Sequence, residues 1–170
     1  MKAPIATLYE PTDVHEAYRE WGAACGPSAL AAALGCEVND VRRLFPGYRG
    51  WVNPTHMLAA LRQAGVEHRT PRPGESHPCR GLMFVQFLGP WMAEGVPIAA
   101  RYKRTHWVAV VRTTAAERLI WDVNSETGWM LFEQWCEVLV PQLLDHNRGS
   151  DGWRVARAIE LVPTASKGAP

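Results

Sequence analysis

The chain has 170 residues, 47% of them hydrophobic, with a formal net charge of +1. That length supports one good core and requires no second domain. Lys and Arg are scattered among acids, leaving no basic stripe for nucleic acid, and no apolar run is long enough to span a bilayer, so neither partner is expected.

The chain opens MKAPIATLYEPTD, where proline and polar residues interrupt the apolar content before a signal-peptide core forms. A cytoplasmic protein is the expectation. There the widely spaced Cys25, Cys36, Cys79 and Cys136 read as thiols and not as a disulfide framework, and they lack the Cys-x-x-Cys spacing of a structural zinc site. No metal and no cofactor are expected.

The next stretch, WGAACGPSALAAAL from Trp21 to Leu34, places a cysteine at the mouth of an alanine-rich helix. There, unpaired backbone N–H groups and the helix dipole favour a thiolate. Gly26 removes bulk beside the sulfur, and the fixed φ of Pro27 suits a first helical turn. A small apolar cysteine packed beneath the helix is the plainer alternative. Further helical signals cover Asn39 to Leu44 and Pro54 to Ala64. In the latter, Asn53 can cap the start and Gly65 can end the helix.

The segment TPRPGESHPCRG, from Thr70 to Gly81, divides the chain by character. After it, GLMFVQF, PIAARYK, HWVAVVRT and RLIWDVN read as strands, the last two forming a hairpin through Thr114, Ala115 and Ala116. A helical stretch from Leu131 to Leu144 is bent or ended near Pro141, and GWRVARAIELV is a final strand. Helices first and a mostly antiparallel sheet second describe an α+β fold. One domain over residues 1–163 and a flexible tail over 164–170 are expected.

A nucleophilic thiol needs a base. Among six histidines, His106 opens the apolar strand HWVAVV and shares a face with Val108 and Val110, so a rigid strand would aim it. It is otherwise the polar end of a hairpin strand. The partner strand offers Asp122 and Asn124 on one face to orient the imidazole. A turn centred near Thr114 sets Asp122 opposite His106, and one centred on Ala115 sets Asn124 there; both residues are also natural turn formers.

In order and context, CGPSAL on a helix, a later THWVAVV, a strand ending WDVN and then GWMLFEQW resemble the papain-like cysteine peptidases, nearest the double-glycine leader peptidase group. The likeness runs from about Ala17 to Trp135. It implies a papain-like α+β fold with the nucleophile at a helix N-terminus packed on the sheet, and a peptide or protein substrate. It also implies Cys25 as nucleophile, His106 as general base and acid, and Asp122 as the orienting group. Two departures stand out. Val123 follows Asp122 where the group commonly has proline, which keeps Asn124 in contention as the third member. Arg19 stands six residues before Cys25 where the family usually has an oxyanion-binding glutamine.

The candidate oxyanion donors are therefore the Cys25 N–H with Arg19 or the Trp21 indole, although Arg19 reads equally well as a solvated helix residue. Among eight tryptophans, Trp21, Trp107, Trp121 and Trp129 lie around this site and are candidates to shape a groove. The implied reaction is hydrolysis of a peptide or amide through a thioester. The alternatives are acyl transfer to an amine and a binding module with weakened catalysis. The small chain also resembles proteins carried by phages and mobile elements.

Overall fold

The alanine-rich run becomes a helix buried on nearly every side. In the computed structural model, which describes residues 8–71, 77–113 and 117–163, helix α2 spans Cys25–Leu34, and Gly26 through Ala33 are all buried. A helix enclosed all round needs small, uniformly apolar residues rather than an amphipathic stripe, as CGPSALAAAL provides. It lies against strand β3 (Thr105–Arg112), and close approach explains Gly26: a Cβ there would stand 2.7 Å from Val52 Cγ2. Gly35 ends α2 in the left-handed region at φ 77°, where its N–H bonds the Ala31 carbonyl.

Helix α1 (Val14–Trp21), which the sequence reading did not delimit, precedes α2. Helix α3 (Pro54–Gln63) begins as expected, with the Asn53 side chain accepting the His56 N–H at 2.8 Å and Pro54 in the first turn. Asn39–Leu44 is a 3₁₀ helix.

Among the described residues six strands form one antiparallel sheet, with β1 His68–Arg69, β2 Arg80–Leu88, β4 Arg118–Trp121, β5 Trp129–Leu131 and β6 Gly152–Leu161 joining β3. Their order is β1-β6-β2-β3-β4-β5. One apolar layer joins α1, α2 and α3 to Leu82, Phe84, Trp107, Ala109 and Trp121. The opposite layer joins Met83, Val85, Val108, Val110 and Ile120 to a helical stretch after β5. The period of two along β2 and β3 sorts each strand between these layers.

PIAARYK is the expectation that fails. Its centre is a short helix, α4 (Ile98–Arg101), following Pro97, with Ile98 71% exposed. A single β-branched residue beside two alanines and an arginine is a weak strand signal, while Pro97 and the alanines favour a helical turn. The loop is anchored by the fully buried Gln86, whose Nε2 donates to the Arg101 carbonyl at 2.8 Å.

The Leu131 to Leu144 stretch is α5 (Phe132–Gln134), a π-helical turn at Trp135–Leu139 and α6 (Val140–His146). The widened turn lies where Pro141 has no N–H to return to the preceding turn. The hairpin turn 114–116 and the tail 164–170 lie outside the described residues.

Ser28 is fully buried within α2, and its hydroxyl has no hydrogen-bond partner. Replacing it with alanine removes an unsatisfied group at little cost in packing. Ser28→Ala is expected to raise unfolding stability by about 1 kcal/mol. Urea titration checks this; a loss of stability would show that the hydroxyl is satisfied.

Candidate active site

Strand β4 stops before β3 does, and that mismatch opens the site. The β3–β4 ladder pairs Val110 with Ile120 and ends at Ala109–Trp121, leaving residues 105–108 of β3 without a β4 partner. The N-terminus of α2 lies beside this unpaired stretch, with the Cys25 sulfur near the backbone N–H of Trp107. Cys25 belongs to the α2 layer while His106 shares the opposite face with Val108 and Val110, so the thiol and the imidazole meet where the ladder has ended.

His106 is 6% exposed and its Nε2 lies 2.9 Å from Asp122 Oδ2. An ionised carboxylate only accepts, so Nε2 carries the proton, which leaves Nδ1 for the hydrogen bond with Cys25. The observed register, continued past the ladder, would set Asn124 opposite His106. Instead the backbone turns after Trp121, with the Ser125 N–H on the Asp122 carbonyl at 2.9 Å, and the turn swings the Asp122 carboxylate onto the imidazole. Asn124 supports Asp122: its backbone N–H and its Nδ2 donate to Asp122 Oδ1 at 2.9 and 3.1 Å.

The charges of these groups depend on one another. Burial pushes the Cys25 thiol up, but the charge of His106, its hydrogen bond and the Trp107 N–H outweigh it, holding the thiol below its ordinary value. Burial pulls His106 down, and the charges of Asp122 and Cys25 reverse this, raising it to about 10. Burial also opposes ionisation of Asp122; His106, the Asn124 N–H and Trp135 together keep it below the carboxylate range. The arrangement favours a thiolate–imidazolium pair backed by a carboxylate. Cys36 and Cys136 lack such support: burial, with Asp40, Glu37 and Asp13 nearby, pushes Cys36 up to about 11, and burial raises Cys136.

Cys25 and His106 open into a cleft of about 610 Å³, whose walls include His15 and Tyr18 of α1 and Gln142 and His146 of α6. Neither wall was read from the sequence, because each comes from a separate helix with no motif. A smaller apolar hollow of about 290 Å³ beneath Trp51 holds none of Cys25, His106 or Asp122.

The other site candidates lie elsewhere. Arg19 is exposed on α1 and does not line the cleft, and the Trp21 indole N–H is committed to Asn39 Oδ1 at 2.9 Å. Trp107 is buried with its indole donating to the Val52 carbonyl at 2.7 Å, and Trp121 is buried in the α2 layer. Trp129 donates to the Tyr9 carbonyl at 2.8 Å. None of these four tryptophans lines the cleft. Each carries a large apolar ring and finds an internal acceptor or core contact. Trp135, in the helical stretch after β5, instead reaches the site: its indole N–H donates to Asp122 Oδ2 at 2.9 Å.

Among the described residues, no cluster of three potential ligands could hold a metal ion, and no helix is long and apolar enough to cross a membrane. A helix-borne cysteine meets a strand-borne histidine beside an antiparallel sheet in an α+β fold. The peptidase domain of Streptococcus ComA, a bi-functional ABC transporter involved in a quorum-sensing pathway, is a similar solved structure. It is 15% identical, with the match covering 83% of this chain and 92% of that domain at a TM-score of 0.45. No family model and no curated protein matches the chain.

Proposed function

We propose that the protein is a cysteine hydrolase acting on peptide or amide bonds, with Cys25 as nucleophile, His106 as general base and acid, and Asp122 as orienting carboxylate. The observation that carries this reading is the meeting of the Cys25 thiol with His106, whose Nε2 lies 2.9 Å from Asp122 Oδ2, at an open cleft. The thiolate attacks the substrate carbonyl carbon, forming the C–S bond. His106 Nδ1 gives its proton to the leaving amine as the C–N bond breaks. Water, deprotonated by His106, then attacks the thioester and releases the acid and the thiol. As the first residue of α2, Cys25 has a backbone N–H with no acceptor within the helix, which suits it to hold the developing oxyanion.

Arg19 lies outside the cleft and Trp21 is engaged with Asn39, which favours a second reading: a fold of this type serving as a binding module with weak turnover. Incubation with a peptide library, read by mass spectrometry, separates the two. New termini are expected with the wild-type chain, and Cys25→Ala should reduce their formation by about a thousandfold or more. Retention of peptides without cleavage would support the binding module, and amine adducts in place of free acids would indicate acyl transfer.

A further inference from the structure

The Asp122 carboxylate is only 1% exposed, yet both its oxygens are fully engaged. Oδ1 accepts two donors from Asn124. Oδ2 accepts the His106 Nε2–H and the Trp135 indole N–H, each at 2.9 Å. Trp135 is fully buried and sits where the helix widens into its π turn, a feature common at functional sites. Its ring is held in place by Trp153, perpendicular at 5.2 Å and 88°, and by Phe132 at 6.0 Å.

An indole N–H can only donate, so it bonds the carboxylate and not the acid. Two donors on one oxygen compete for the same electron density: each bond weakens the other, and each makes the oxygen less basic. The indole therefore keeps Asp122 ionised in a buried setting while limiting its pull on the imidazole proton. A proton held too tightly by the imidazole would be a poor one to give to a leaving amine.

We propose that Trp135 is a positioning residue of the active site, whose indole N–H fixes the Asp122 carboxylate and tempers its hold on His106. This rests on His106 being the base and acid of the proposed hydrolase. A purely structural tryptophan would fill the same space, so the test must remove the N–H and keep the shape.

β-(3-Benzothienyl)alanine at position 135 does so, with sulfur in place of the N–H. Trp135→Phe is the genetically simple counterpart, and Trp153→Phe alters the same aromatic cluster without touching Asp122. The measurement is the His106 titration by NMR in the full chain, with the Nε2 proton shift recorded alongside. Losing the indole donor is expected to raise the proton affinity of the imidazole about threefold, an upward shift of about half a pH unit. The Nε2 proton should move downfield, and Trp153→Phe should leave the titration in place. An unchanged or lowered His106 titration in the folded benzothienyl variant overturns the proposal. Iodoacetamide modification of wild-type Cys25, followed in parallel, reports separately on the nucleophile: a sluggish Cys25 would defeat the hydrolase reading even where His106 responds as expected.

Discussion

Iodoacetamide is expected to modify Cys25 about a thousandfold faster than Cys36 at pH 7. The thiolate is the reacting form, and Cys36 at about 11 holds only about one part in ten thousand of it at that pH. Cys25 is held below the ordinary thiol value, so a far larger fraction of it is thiolate at that pH. The lower intrinsic nucleophilicity of a weakly basic thiolate takes back part of the advantage, which is why the expected ratio is smaller than the ratio of thiolate fractions. The pH profile carries the sign. The Cys25 rate should rise and level off at lower pH than that of an ordinary thiol, whereas Cys36 should still be gaining near pH 11. Turnover should follow the same acid limb and fall again near pH 10, where His106 loses the proton that the leaving amine requires.

His106→Ala tests the cause. Without the imidazolium, burial is the leading influence on the thiol and pushes it upward, so the Cys25 rate at pH 7 should fall by about a hundredfold. Site-resolved mass spectrometry across pH 4 to 11 reads both results. If Cys36 or Cys136 reacts faster than Cys25 at neutral pH, the nucleophile assignment is wrong.

What could be read in advance depended on whether the determining interactions were local. The Asn53 cap, Pro54 and the closing Gly65 lie within one helix and its flanks, so their residue types describe α3 directly. Cys25 at the mouth of α2 is legible for the same reason. The apolar content of PIAARYK reads as strand character, while the turn-forming Pro97 and the alanines decide the backbone. The contact between His106 and Asp122 follows from neither hairpin register nor strand alternation. It depends on β4 ending at Trp121 and on the turn that follows, features that cross-strand pairing rules do not describe. Tryptophan roles were the least legible: an indole beside a motif in sequence points wherever its N–H finds an acceptor, and those of Trp21, Trp107 and Trp129 find theirs outside the cleft.

The division of labour between Asp122 and Asn124 should be the most sensitive probe of the site. Asp122→Ala deprives the imidazole, the Trp135 indole and the Asn124 amide of their common acceptor, and it leaves a buried imidazolium without a counterion. Turnover should fall by about 10³- to 10⁴-fold, as in other triads that lose the orienting carboxylate. His106 should titrate well below 10, because the charge of Asp122 is the leading influence holding it up against burial. Asn124→Ala removes only the 3.1 Å side-chain bond and keeps the backbone N–H on Oδ1, so its effect should stay within about tenfold. Asp122→Asn guards against misfolding as the explanation. It keeps the shape and an acceptor for the imidazole but loses the charge, and it turns an N–H₂ towards the Asn124 donors, so His106 should again fall while the chain remains folded. A larger loss of turnover in Asn124→Ala than in Asp122→Asn would mean that the amide, acting directly on His106, orients the imidazole, and that the 2.9 Å contact with the carboxylate is incidental to catalysis.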